Sequence, residues 1–123
     1  MGILVPEKYG GAGLDMVAFS TAIIELGRAD ASVAITMAAH NSLGTLPLLT
    51  FGSKKQKDKY LPGLASGKTL GAFGLTEPYA GSDAGATKTK AVKVGNEFIV
   101  NGSKIFITNA GVAGGFIFHC SGY

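Results

Sequence analysis

Cys120 is the only cysteine among 123 residues, which excludes an internal disulfide and fits a reducing compartment. Charge is scarce too. Asp, Glu, Lys and Arg make up 15% of the chain against 46% hydrophobic residues, a balance that excludes an unfolded polyelectrolyte and predicts an ordered chain with one core. The apolar runs are broken well short of a bilayer's thickness, so no membrane span is expected. The first residues do not pair a basic stretch with an apolar one, and Pro6 stands where a myristoylation signal needs Ser or Thr. Much of the net charge of +3 lies in Lys54, Lys55, Lys57 and Lys59. That run lacks the arginine forks and alternating aromatics of a nucleic-acid surface, and it reads as the solvated face of a helix.

Several chemistries are missing as well. His40 and His119 have no second ligand at metal spacing, and no Ser or Cys sits in a nucleophile motif, so no metal and no catalytic residue is assigned. The segment Pro62 to Thr69, PGLASGKT, comes close to a phosphate loop. However, Pro62 takes the place of its first glycine, and a helix precedes it where a strand should. Gly11-x-Gly13 lacks the third glycine of a dinucleotide fingerprint, since Met16 falls there.

What is present divides in two. Met16, Phe19, Ile23, Ile24 and Leu26 recur at helical spacing behind a capping Asp15, after a glycine loop of Gly10, Gly11 and Gly13. A second helix is expected from a Ser32 cap, apolar almost all round through Val33, Ile35, Met37, Ala38 and Leu43, and therefore buried, with His40 inside it. Pro47 opens a short third helix ending near Phe51-Gly52, and Ser53 caps the basic one, which runs to about Leu64. Beyond Gly67 the segments TLGAFGL, AVKV, EFIVNG, KIFITNA and GGFIFHC are short and rich in Val, Ile, Phe and Thr. Gly95-Asn96 and Asn101-Gly102 separate some of them as turns, the second in preference to a glycosylation sequon, and Cys120 is expected inside the last strand. The order predicts an α+β fold, a bundle-type helical part at residues 1–68 and then an antiparallel β part at 69–123, both incomplete. An all-round apolar helix wants more neighbours than these, and the last residues stop in mid-strand, so a fragment of a longer protein is expected.

The segment AFGLTEPYAGSDAGA, Ala72 to Ala86, and the segment KIFITNAG, Lys104 to Gly111, read as two strands that each end in a threonine, Thr76 and Thr108, beside an aromatic, Phe73 and Phe106. Hydroxyls, edge amides and a ring would suit a flat ligand with a polar rim, and Gly81, Gly85, Ser82 and Asp83 would admit phosphate or hydroxyl groups. Residue types alone leave an ordinary strand-turn-strand as the alternative.

GLTEPYAGSDAGA resembles the signature of the acyl-CoA dehydrogenases, and VPEKYGGAGLD, NSLGTLPLLTFGS and NGSKIFITNAG follow that family's order and spacing over nearly the whole chain. KIFITNAG is most similar to the short-chain, butyryl-CoA type. The resemblance implies an oxidoreductase of fatty acid metabolism that turns an acyl-CoA into the trans-2-enoyl-CoA, a Glu removing the α-proton and the β-hydride passing to FAD. It implies the family's N-terminal helical and middle β domains, truncated here. Phe73, Leu75, Thr76, Gly81, Ser82, Phe106, Ile107 and Thr108 would then line the flavin, with Phe106 in place of the Trp found in many members. Ser82, Thr36, Ala39 and Leu43 would border the acyl-CoA. The catalytic Glu belongs to the absent C-terminal domain, Glu77 being structural, so this chain alone is expected to be inactive. Electron-transfer flavoprotein would accept the electrons and the full-length protein would form a homotetramer, in the cytoplasm or, in a eukaryote, the mitochondrial matrix. An acyl-CoA oxidase of the same superfamily and a non-enzymatic helical interaction module are the rival readings.

Overall fold

The computed structural model describes residues 1–121. Four α-helices precede four strands: α1 (Met16–Ala29), α2 (Ala31–Ala38), α3 (Leu46–Phe51), α4 (Lys54–Ser66), β1 (Leu70–Gly74), β2 (Lys90–Val94), β3 (Glu97–Asn101) and β4 (Ala113–Phe118). The helical-then-β order expected from the sequence is the order found. The chain forms two compact units, one from Met1–Ala72 with Thr108–Ile117, the other from Phe73–Ile107 with the chain from Phe118 onward.

In the first unit, Asp15 caps α1 as the sequence indicates, its carboxylate accepting the Ala18 amide at 2.9 Å. The cap of α2 is Asp30, not Ser32. Its Oδ1 accepts the amides of Ser32 at 2.7 Å and Val33 at 3.1 Å and the Ser32 hydroxyl at 2.6 Å. A carboxylate outcompetes a hydroxyl for helix-end amides because it carries full charge into the positive end of the helix. Asp30 also closes α1, donating its amide to the Leu26 carbonyl, so a single residue joins the two helices.

The second and third helices expected from the sequence are not separated. A π-helical segment, Ala39–Thr45, carries α2 directly into α3, with Pro47 in the first turn of α3. The expectation that the second helix is buried all round also fails: Val33, Ile35 and Leu43 are exposed, and in α2 only Ala34 is buried. Ala34 lies against Gly27 of α1, and small residues let these helices approach closely. The Ser53 cap forms a complete capping box with Gln56, and α4 ends on a left-handed Gly67. Its lysines lie on a largely solvated face, as expected. Val5, Leu61 and Ala65 make the core, flanked by Tyr9, Leu48 and Leu49. The loop of Gly10, Gly11 and Gly13 is pinned to the N-terminal segment by main-chain bonds such as Gly13 N–H to Val5 C=O at 2.9 Å.

β1 and β4 form one two-stranded sheet and β2 and β3 another. The latter is antiparallel, Val94 opposite Glu97 across the two-residue turn Gly95-Asn96, where Gly95 has φ 62°. Asn101-Gly102 makes no such turn: the chain continues without regular structure to Ile107. The glycine serves another purpose. A Cβ on Gly102 would lie 2.1 Å from Thr89 Oγ1, so close packing, not turn geometry, demands it. KIFITNA is likewise no strand, because its groups bond outward to other segments rather than to a ladder. Cys120 lies just beyond the end of β4 and is half-buried. The expectation of a strand at the final residues concerns 122 and 123, outside the described residues.

Candidate functional site

β1 ends at Gly74, and a Cβ there would meet the Phe118 ring at 2.7 Å. The next three residues are held by partners distant in sequence. Leu75 C=O accepts Lys104 Nζ at 3.0 Å, and Thr76 C=O accepts the Ile105 amide at 2.9 Å. Glu77 then accepts three donors: the amides of Lys88 at 2.6 Å and Thr89 at 3.0 Å, and Lys104 Nζ at 2.8 Å. The Lys104 ammonium, with the contacts from Thr89 and Lys88, holds the Glu77 carboxyl down at about 2.

Past Glu77 the chain turns sharply. The amides and carbonyls of Glu77 and Ala80 bond each other at 3.0 and 3.1 Å, with Pro78 at the first corner. This closed turn leaves Gly81 and Ser82 exposed, and nothing lies within 4 Å of where a Cβ on Gly81 would stand. On the facing segment, Phe106 adopts φ 56°, a left-handed conformation uncommon for a bulky residue, and its ring is 89% exposed. Strained backbone that presents an aromatic ring to solvent is a candidate ligand contact.

The second unit therefore brings Thr76 to the segment of Phe106 and Ile107, with Phe73 and Leu75 just upstream, half-buried, and Gly81 and Ser82 beyond the turn. In the first unit, Thr108 is exposed at the start of a turn, Thr36 is half-buried at the end of α2, and Ala39 and Leu43 sit in the π segment, the former buried and the latter 47% exposed.

His40 is fully buried. Its Nδ1 accepts the Gly71 amide at 3.0 Å, which leaves Nε2 to donate to Leu64 C=O at 3.0 Å and requires the neutral ring; burial pushes its pKa down. The structural role expected of His40 is the one it has.

Sequence reasoning missed Lys104 and Asn109. A lysine at the head of the apolar run Ile105 to Ile107 was the available signal for the first, since such a residue, if drawn in with the run, needs a buried partner. Nothing local marks Asn109, whose side chain reaches Thr36 and Gly71. Among the described residues there is no cluster of potential metal ligands and no helix long and apolar enough to cross a membrane.

Two family models match: the N-terminal domain of acyl-CoA dehydrogenase over residues 1–68 and its middle domain over 72–122. The chain is 56% identical to an acyl-CoA dehydrogenase of Bacillus subtilis (strain 168), across 92% of its own length and 30% of that protein's. The solved butyryl-CoA dehydrogenase of Megasphaera elsdenii matches 95% of this chain with 32% of its own, at 47% identity and a TM-score of 0.89. An acyl-CoA dehydrogenase of Bacillus anthracis, solved in complex with FAD, matches 98% of this chain with 21% of its own, at 45% identity and a TM-score of 0.90. The chain thus spans about a third or less of each relative.

Proposed function

Because the chain belongs to the acyl-CoA dehydrogenase family, we propose that it supplies the flavin-lining and acyl-lining residues of an FAD-dependent enzyme that oxidises a short-chain acyl-CoA to the trans-2-enoyl-CoA. The observation that carries this reading is the 2.9 Å bond from the Ile105 amide to Thr76 C=O, which sets the signature turn against the segment bearing the exposed Phe106 ring. In this reading residues 1–68 are part of the helical N-terminal domain and residues 69–123 open the middle domain.

The donor set fits FAD. One unit offers an exposed aromatic, the hydroxyls of Thr76 and Ser82, and an unobstructed Gly81. Phe73, Leu75, Thr76, Gly81, Ser82, Phe106 and Ile107 would hold the cofactor, and Thr108, in the other unit, is assigned to it on the family pattern alone. FAD, when bound, supplies the two-electron acceptor of the dehydrogenation. Thr76 would donate its hydroxyl to the ring's polar rim, where a preorganised donor stabilises negative charge. Phe106 would cover an apolar face and exclude water. Ser82 would serve both the cofactor and the thioester's pantetheine arm, and Thr36, Ala39 and Leu43 would border the acyl chain.

Glu77 is unsuited to abstract the α-proton. A general base works best with a pKa near the working pH, whereas Glu77 is held at about 2 and all its contacts are spent on fixing the turn. We place the base outside this chain, electron-transfer flavoprotein as the acceptor, a homotetramer as the assembly, and the cytoplasm or mitochondrial matrix as the compartment. The test is the full-length protein: purified, it should be yellow with bound FAD and reduce a dye with butyryl-CoA, whereas residues 1–123 alone should not turn over. A colourless full-length protein inert to every acyl-CoA would end this reading, and peroxide formation in place of dye reduction would make it an oxidase.

A further inference from the structure

Thr36, Met37 and Ala38 form the last turn of α2, and each of their carbonyls accepts a side-chain donor. Met37 takes Asn41 Nδ2 at 3.0 Å and Ala38 takes Ser42 Oγ at 2.7 Å, both from four residues further along the same helix. Such bonds compete with the backbone ladder and accompany its widening into the π segment. Thr36 is different. Its carbonyl takes Asn109 Nδ2 at 3.2 Å, from a residue 73 positions away.

The same nitrogen donates to Gly71 C=O at 3.3 Å. Gly71 is itself bound to the π segment, its amide donating to His40 Nδ1 and its Cα packed so tightly on Gly44 that a Cβ would come within 2.9 Å of Gly44 Cα. Both amide hydrogens of Asn109 can therefore be spent on main-chain carbonyls tied to one wide turn. The backbone of Asn109 is left-handed, φ 69°, a conformation asparagine tolerates better than most residues, and the Val112 amide closes the turn on its carbonyl at 3.0 Å.

We propose that Asn109 is a positioning residue for specificity: its amide fixes where the helix widens after Thr36 and, through the turn it shares with Thr108, ties the acyl-lining segment to the flavin-side threonine. This rests on the functional reading above. A π segment adds a residue to the turn, so the point at which it begins rotates every later side chain about the axis. Ala39 and Leu43 lie within it, and if they border the acyl chain as proposed above, turning Leu43 would change the acyl length accommodated.

Two variants of the full-length protein test this. Asn109→Gly keeps the left-handed backbone and deletes the amide, while Asn109→Asp keeps the size and sets a carboxylate against two carbonyl oxygens. Without any ligand, amide exchange across Asn41 to Leu46 should quicken roughly three- to tenfold, the range one lost hydrogen bond covers, while Phe19 to Leu26 of α1 keeps its protection. In the flavin-loaded enzyme the ratio of kcat/KM for butyryl-CoA to octanoyl-CoA should shift by a similar factor, with displaced flavin absorption bands. Wild-type exchange in Asn109→Gly overturns the proposal. Faster exchange with an unchanged acyl-length ratio overturns it too, since it leaves Asn109 merely structural. If Asn109→Asp does not fold, Asn109→Gly decides. A wild type without flavin or turnover instead overturns the functional reading beneath, and is told apart because no variant is needed to see it.

Discussion

Lys104 Nζ lies 2.8 Å from Glu77 Oε1, with the two side chains only 7% and 6% exposed. Ions removed from water on this scale persist where their remaining donors and acceptors are matched, and here they are: Lys104 also serves Leu75 C=O, and Glu77 also accepts two amides. The pair is the rivet of the signature turn, and removing either member would strand the other.

Lys104→Met should therefore lower the melting temperature by at least about 5 °C, and Lys104→Arg by less, as read by calorimetry. The acid limb tests the same pair. Glu77 titrates at about 2 in the folded chain against an ordinary 4.5, so its contribution is complete above pH 4.5 and is lost as pH falls from there towards 2. Across that window the wild type should lose stability more steeply than Glu77→Gln, and parallel curves would remove the pair from the argument.

His40 carries a pH signature of its own. Burial lowers its pKa below 6.5, so its neutral ring contributes full stability above that value and progressively less as pH drops below it. Imidazole proton resonances should show this ring protonating at lower pH than an exposed histidine does. Replacing it, His40→Leu leaves the Gly71 amide and Leu64 carbonyl without their partner at a cost of roughly 2–4 kcal/mol, measurable by urea titration.

Gly71→Ala should cost about 1–3 kcal/mol, because the added methyl meets Gly44 main-chain atoms at 2.9 to 3.1 Å and a helix backbone cannot yield as a side chain can. Gly81→Ala, with open space around it, should leave the melting curve of the ligand-free chain within about 0.5 kcal/mol of wild type.

Phe106→Gly should raise the stability of the ligand-free protein by up to about 1 kcal/mol while reducing the amount of FAD the full-length protein retains. The ring is 89% exposed and gives up little packing, and the left-handed backbone suits glycine. A loss of stability on this change would mean that the strain reading is wrong.

Local chemistry was legible without coordinates. Asp15 before an apolar stripe, Ser53 three residues ahead of Gln56, Gly67 after the basic helix and Gly95-Asn96 between two β-branched runs each act on groups within four residues. The family motif from Gly74 to Asp83 was likewise readable as a string. Where sequence reading went astray, the deciding partner lay far along the chain or at a competing site nearby. Asp30 displaced Ser32 as a cap because two candidates stood together and the charged one wins. KIFITNA has the composition of a strand, yet its Ile105 amide and Lys104 ammonium are claimed by Thr76 and Glu77, so it pairs with a turn and not with a ladder.

The sequence alone determined that helices precede strands, the caps at Asp15 and Ser53 and the identity of the signature turn, because capping, periodicity and turn preference are contests between neighbours. Only the tertiary structure decided that Lys104 is buried on Glu77, that Gly102 packs on Thr89, and that Asn109 holds the widened helix at Thr36. Each of those joins residues more than a dozen positions apart, and such a contact exists only once the chain has closed on itself.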